Sequence, residues 1–117
     1  MSSQYLESNL PEEAANVHRA LASLQEELEA VDYYHQRAAC SNDAELKDIL
    51  IHNRNEEIEH SAMLLEWLRR QIPAVDENLR TYLFTSAPVT EIEEGGAEES
   101  GGAAAGGDGS LGIGKLS

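Results

Sequence analysis

Apolar side chains recur at alternating intervals of four and three residues through the first third of the chain. They form a first seam of Leu10, Ala14, Val17, Leu21, Leu24, Leu28 and Val31. This is the spacing of a helix that packs lengthwise against other helices, sustained over three heptads. A second seam with the same spacing is polar at its middle three positions: Leu46, Leu50, Asn53, Glu57, His60, Leu64 and Trp67. The repeat predicts an all-α fold built from long, packed helices.

Capping residues and a proline predict where these helices begin and end. Asn9 and Asn42 each stand three residues before a glutamate, which is the spacing of a capping box, so we expect a helix to begin after each. The first helix should run to about residue 39. The second should end near residue 70, because Pro73 disfavours helix at the residue before it. Only a few residues separate the two helices, so the chain must reverse direction between them and the helices pack as an antiparallel hairpin.

The hairpin has more apolar surface than it can cover alone. A further stripe repeats every seven residues beside the second seam, at Ile51, Ile58 and Leu65. We therefore expect the hairpin to dimerise into a ferritin-like four-helix bundle. A short third helix is expected over residues 75–84, with an apolar side formed by Leu79, Tyr82 and Leu83.

Composition divides the chain and excludes several classes of partner. Its 22 acidic and 8 basic residues give a net charge of -14, which repels nucleic acid and anionic membranes and attracts cations. No apolar run approaches the ~18 residues that a membrane span needs, and because the first residues lack the basic, apolar pattern of a signal sequence we expect no leader. We expect Cys40, the single cysteine, to be buried in a reduced, cytoplasmic protein. All nine glycines lie in residues 85–117. We expect a hairpin domain over 1–84, a flexible acidic, Gly-rich linker over 85–110 and a disordered tail.

The polar positions of the second seam predict a metal site. Glu57 and His60 stand where leucines would pack, and an unpaired carboxylate in such a place costs several kcal/mol unless it is compensated. Antiparallel pairing places Glu27 of the first helix opposite them. A Glu from one helix with Glu-x-x-His from its neighbour is half of a carboxylate-bridged di-metal site, so a symmetric dimer would complete it. These ligands favour iron or manganese and leave zinc and calcium open.

Other polar side chains near these positions have two interpretations each. Tyr34, seven residues after Glu27, is either a hydrogen-bond donor to a ligand or an ordinary interface aromatic. The surrounding acidic residues form either a solvated face or a funnel that concentrates cations: Glu26, Glu29, Asp32, Glu56 and Glu59. Three further histidines are interpreted as surface or interface residues: His18, His35 and His52.

The last residues have a pattern of their own. Aliphatic side chains alternate with glycines in Leu111-Gly112-Ile113-Gly114, and Leu116 follows. At the end of a flexible tether this pattern is typical of a short docking peptide, although the end of a tail without function would look the same.

Several of these segments resemble the encapsulated ferritins of bacterial encapsulin compartments. The matching segments are 26–34 (EELEAVDYY), 55–60 (NEEIEH), 65–67 (LEW) and 80–84 (RTYLF). The end of the chain, 111–114 (LGIG), resembles the encapsulin cargo-loading peptide, which makes 111–117 the segment that would bind the shell protein. The chain departs from the family at Tyr33, where the family has tryptophan.

The resemblance implies a two-helix ferritin-like protomer with a short third helix, assembled as a ring of five dimers inside the shell. It implies a ferroxidase centre with two irons at each dimer interface, held by Glu27, Glu57 and His60, with Tyr34 adjacent. Glu26 and Glu29 would bind metal on the way to that centre. Two other functions stay open: a non-catalytic module whose metal only staples the dimer, and a di-metal protein that scavenges peroxide.

Overall fold

The computed structural model describes residues 7–99, which form four helices and, within that range, no strands. They are α1 (Glu12–Cys40), α2 (Ala44–Gln71), α3 (Pro73–Tyr82) and α4 (Val89–Glu99). The chain divides after Gln71 into two compact units, the first containing α1 and α2 and the second α3 and α4. The all-α prediction is confirmed, and no helix in the described range is long and apolar enough to cross a membrane.

Both predicted caps were wrong by one or two residues. At α1 the cap position is held by Pro11 without a side-chain hydrogen bond, and the Ala15 N–H donates to the Pro11 carbonyl at 2.9 Å. Because the φ of proline suits the start of a helix, α1 begins directly after Pro11. Asn9 lies two residues before Pro11 and is too far away to accept the first N–H groups of the helix. At α2 the cap is Asp43 rather than Asn42, because the Asp43 carboxylate accepts the Leu46 N–H at 2.8 Å. A carboxylate also interacts favourably with the positive end of the helix dipole.

The two long helices pack as an antiparallel hairpin around a thin line of mostly small side chains. Those that are buried between the described parts of α1 and α2 are Ala20, Ala38, Ser61 and Leu68. Leu68, at 2% exposure, is the one large apolar side chain among them. Cys40 is exposed at the end of α1, so the expectation that it is buried was wrong; the last residue before a tight turn has nothing packed over it.

Large apolar side chains remain on the surface of this unit. Seven of them are between 42% and 58% exposed: Leu21, Leu28, Tyr33, Leu46, Ile49, Ile58 and Met63. Four of the seven belong to the two predicted seams and the stripe: Leu21, Leu28, Leu46 and Ile58. Part of these predicted apolar surfaces is therefore exposed to solvent in the single chain. A soluble chain rarely leaves so many exposed on two helices unless another surface covers them. The dimer itself stays a prediction.

The second unit begins where the proline was expected to end α2. Ile72 is extended (φ -120, ψ 109) and Pro73 is the first residue of α3, two residues before the expected start. Immediately after α3, Phe84 has φ 62 and is 96% exposed. This left-handed conformation costs a non-glycine residue roughly 1–2 kcal/mol.

Residues 89–99 differ from the linker that the glycine content predicted. The structure has α4 there, begun by hydrogen bonds from the Glu91 and Ile92 N–H groups to the Pro88 carbonyl at 3.0 and 3.1 Å. Its first turn is acidic, which suits a helix N-terminus, and the first glycine comes at residue 95. The rest of the predicted linker and the predicted docking peptide lie outside the described residues.

Candidate metal centre

The structure brings together the three candidate ligands that the sequence predicts from the second seam and the antiparallel pairing of the helices. Glu27 projects from α1, and Glu57 and His60 project from adjacent turns of α2. One ligand atom from each lies within 4.8 Å of the other two, and all three side chains are half-buried. We call this group the ligand triad. It lies about midway along the hairpin, where rigid helices on both sides position each side chain.

The spacing within the ligand triad suits a shared cation better than direct hydrogen bonds. His60 Nδ1 lies 3.4 Å from Glu27 Oε1 and 3.4 Å from Glu57 Oε1. These distances are longer than the 2.7–3.2 Å of a good N–H···O hydrogen bond. Ligands that each lie about 2.1 Å from one metal ion, at right angles, are about 3 Å apart. The three atoms therefore need only small movements to bind one ion.

The pKa of Glu27 shows the electrostatic conflict within the triad. It is raised above 4.5, chiefly because the Glu27 carboxyl shares a hydrogen bond with Glu57, and further because of desolvation and the repulsion between the two carboxylates. His60 opposes the shift. Two carboxylates this close hold a proton between them or attract a cation, and a divalent ion relieves the same repulsion.

The pKa of His60 is also displaced. Desolvation lowers it, but the close contacts with the Glu27 and Glu57 carboxylates and their charge attraction outweigh that effect, so that the pKa of His60 is raised above 6.5. When His60 is protonated, its imidazolium lies beside both carboxylates. A bound cation would replace that proton, because a ligating imidazole must be neutral.

Ser61 is a small buried side chain next to His60 in α2. It is buried at 8% exposure, and its hydroxyl donates to the Glu57 carbonyl at 2.9 Å. The hydrogen bond within the helix satisfies the buried hydroxyl, and the small side chain lets α1 approach α2 closely. Sequence spacing alone did not single out this residue, although a serine between His60 and leucines is a signal of close helix packing.

A second row of polar groups leads from the surface to His60. His52 Nε2 lies 3.7 Å from Glu56 Oε2, and Glu56 Oε1 lies 3.9 Å from His60 Nε2. The three residues are four apart on one face of α2. The sequence interpretation placed His52 on the surface, which is correct, but it missed this arrangement because His52 and Glu56 lie outside the second seam.

Two predicted neighbours of the site, Glu29 and Tyr34, each contact another side chain of α1. The Tyr33 hydroxyl donates to Glu29 Oε2 at 3.0 Å, and the Arg37 guanidinium lies 5.7 Å from the ring centres of both Tyr33 and Tyr34. Within the described range, Tyr34 is half-buried and makes no hydrogen bond to the ligand triad. Glu26 is exposed.

Another predicted surface histidine also has a partner. His35 Nδ1 lies 3.1 Å from Arg54 Nη1 across the hairpin. Because arginine only donates, His35 Nδ1 must accept this hydrogen bond. This contact links α1 to α2 between the turn and the ligand triad.

The comparisons with known proteins agree with this architecture. The family model described as EncFtn-like matches residues 3–86. The chain is 58% identical over 114 residues to the Encapsulated ferritin-like protein of Rhodospirillum rubrum, covering 92% of this chain and 81% of that protein. It is 56% identical over 121 residues to the Ferritin-like protein of Thermotoga maritima, covering 99% and 100%. The crystal structure of protein ne0167 from Nitrosomonas europaea has 55% identity and a TM-score of 0.71, over 74% of this chain and 98% of that one.

Proposed function

The chain belongs to the EncFtn-like family, and from that premise we propose that it is a ferroxidase, oxidising Fe(II) to Fe(III) at a di-iron centre shared by two copies of the chain. The observation that carries the proposal is that one chain contains half of a complete ligand set. Glu27, Glu57 and His60 converge within 4.8 Å, and within the described residues there is no second such group. A two-fold dimer doubles them to four carboxylates and two imidazoles, the set that di-iron carboxylate proteins use.

The chemistry of these donors suits iron that changes its charge. Carboxylates stabilise the more highly charged Fe(III) over Fe(II), which lowers the potential of the couple and favours oxidation. His60 adds a neutral ligand of fixed orientation. Two Fe(II) ions supply two electrons, which reduce one O₂ to H₂O₂ with two protons. Glu27 and His60, whose pKa values are raised, would release protons as the cations bind.

The route of iron to the centre is part of the proposal. Glu26 and Glu29 would bind Fe(II) on the way in, and the net charge of -14 would draw cations toward the chain. Tyr34 would lie next to the centre in the dimer, within reach of a ligand or the oxidant. Calcium and zinc would compete at these oxygen and imidazole ligands and would inhibit, since neither ion is oxidised.

The ferroxidase proposal is tested by Fe(II)-dependent O₂ consumption. Glu27→Ala and His60→Ala should each reduce the initial rate to that of Fe(II) in buffer, because each removes two ligands from the dimer. Glu13→Ala, a matched change of an exposed glutamate on α1, should leave the rate within about twofold of the unchanged protein. Unchanged rates in both ligand variants would contradict the assignment.

Two other functions predict different measurements. A metal that only staples the dimer would promote assembly without turnover, and zinc would do so as well as iron. A peroxide-scavenging protein would consume H₂O₂ faster than O₂ when Fe(II) is supplied. Measuring both oxidants with the same Fe(II)-loaded sample separates the three functions.

We also propose that the chain works inside an encapsulin shell in the cytoplasm, assembled there as a ring of five dimers. The support is that the Rhodospirillum rubrum relative is named an encapsulated ferritin-like protein, together with the Leu111-Gly112-Ile113-Gly114 pattern followed by Leu116. The aliphatic side chains of this peptide would enter pockets on the shell protein.

Deletion of residues 111–117 tests the shell proposal. When chain and shell protein are co-expressed, the truncated chain should be absent from purified shells but should keep its ferroxidase rate. A control chain with Lys115→Ala retains the aliphatic side chains and should still be loaded. Loading of the truncated chain at the normal level would show that the peptide is not the docking element.

A further inference from the structure

The two nitrogens of the His60 ring face different groups. Nδ1 lies 3.4 Å from Glu27 Oε1 and 3.4 Å from Glu57 Oε1, so this edge of the ring faces the other two members of the ligand triad. The second nitrogen, Nε2, lies 3.9 Å from Oε1 of Glu56, one turn earlier on α2. The ring therefore stands between the candidate metal ligands on one edge and a carboxylate outside the triad on the other.

A metal ion bound by the ligand triad determines where the imidazole proton must be. A ligating imidazole is neutral, and a neutral imidazole carries one proton, on the nitrogen that does not bind the metal. Because Nδ1 is the nitrogen beside the carboxylate ligands, the metal would bind there and the proton would be on Nε2. That N–H group needs an acceptor, and in metal sites the acceptor is commonly a carboxylate.

Glu56 can supply this acceptor after a small movement. Its Oε1 atom has to approach Nε2 of His60 by about 1 Å to make a hydrogen bond of ordinary length. The Glu56 side chain is 49% exposed, so half of its surface is free of packing contacts and the side chain can rotate. Its other oxygen, Oε2, lies 3.7 Å from His52 Nε2, which places Glu56 between two imidazoles on one face of α2.

We propose that Glu56 is a positioning residue for the metal centre: its carboxylate accepts the Nε2–H of His60 and holds the imidazole with Nδ1 toward the metal. Glu56 acts through His60 and does not itself bind the ion in the triad. This gives one of the surrounding acidic residues a role that differs from both a solvated face and a cation funnel. The inference rests on the metal site of the proposed function, but it does not require the bound ion to be iron or to react with O₂.

Zinc binding tests this role without iron oxidation. Competition with a chromophoric chelator gives the Zn(II) dissociation constant of the full chain. Glu56→Ala should raise that constant about tenfold, because loss of the group that orients a ligating histidine weakens metal sites by roughly 10–100-fold. Glu56→Gln keeps an acceptor oxygen and should restore most of the affinity. Glu59→Ala removes the same charge from another exposed glutamate of α2 and should leave the constant within about twofold.

Nitrogen NMR of isotope-labelled histidine separates positioning from a general loss of charge. In the zinc-loaded protein the His60 ring should show a metal-bound Nδ1 and a protonated Nε2, and His60→Ala assigns these signals by removing them. In Glu56→Ala the Nε2–H should exchange with water several times faster, because its acceptor is lost. In Glu59→Ala the exchange rate should be unchanged, whereas a change in overall charge alone would affect both variants alike.

Each result decides the proposal. Weaker zinc binding in Glu56→Ala, its recovery in Glu56→Gln and faster exchange of the Nε2–H together support it. Equal zinc affinity of Glu56→Ala and the unchanged protein overturns it, and so does a His60 ring that binds zinc through Nε2. A protein that gives the expected zinc results but does not consume O₂ with Fe(II) would contradict the ferroxidase proposal alone.

Discussion

Protons and metal ions compete for the ligand triad, because the pKa values of Glu27 and His60 are both raised in the metal-free chain. His60 is protonated below its raised pKa and is then paired with the carboxylates. That pairing stabilises the metal-free fold fully below pH 6.5 and is lost as pH rises through the raised value. Metal binding has the opposite pH dependence, because His60 can bind a metal ion only when its imidazole is neutral.

We therefore expect Mn(II) affinity to rise with pH through the neutral range and to level off above the raised pKa of His60. Up to about one proton per His60 should be released on binding near pH 6.5. Calorimetry in two buffers of different ionisation enthalpy counts these protons. His35→Gln, which changes a histidine of α1 away from the triad, should release the same number. Proton release that does not depend on pH would contradict this account.

At the scale of residues, the sequence predicts the ligands but not the groups around them. Glu57 and His60 follow from seam spacing and Glu27 from antiparallel pairing about the turn, because two rigid helices convert sequence distance into position. Glu56 and His52 lie outside the second seam. A polar side chain there could simply be hydrated at the surface, so spacing does not mark either residue as part of a site. Ser61 acts through its small size and a hydrogen bond to its own helix, neither of which produces a periodic signal.

The elements show a similar division between what periodicity predicts and what local geometry decides. The apolar repeat and Pro73 predict helix lengths to within a few residues. Caps depend on which side chain reaches a free N–H, and Asn42 and Asp43 differ by one residue with similar propensity. The α4 helix was missed because glycine content was averaged over 85–117, although its first six residues contain none.

The cap of α2 allows a matched pair of substitutions. Asp43→Ala should lower the free energy of unfolding by about 1 kcal/mol, because the Leu46 N–H loses its acceptor. Asn42→Ala should change it by only a few tenths. Urea unfolding at one fixed protein concentration measures both, since an oligomer's stability depends on concentration. If Asn42→Ala is the more damaging change, the cap is the residue first predicted from the sequence.

At the scale of the whole molecule, the ligand triad would link metal binding to assembly in the proposed dimer. In the proposed dimer, four carboxylates meet at one centre and repel one another until a cation arrives. Glu27→Gln removes two of those charges. In the presence of a chelator, this variant should remain a dimer at lower protein concentrations than the unchanged protein does. With Mn(II), the unchanged protein should associate more strongly than the variant.

Sedimentation velocity with EDTA and with Mn(II) checks the linkage, and Glu13→Gln controls for the loss of charge alone. Identical association of Glu27→Gln and the unchanged chain in EDTA would show that the carboxylates are not close across the interface. Surplus apolar surface predicts a dimer, whereas the left-handed φ of Phe84 could not be predicted, because one strained turn leaves no signal in composition or period.

The thin core of the hairpin has a consequence for how long a chain survives in a cell. With Leu68 as the one large side chain buried between the described helices, we expect a lone copy to open often and to expose its backbone to proteases. Association lowers the open fraction in proportion to the partners available. Copies made in excess of their partners would be degraded, and the amount of protein in the cell would follow the amount that has assembled.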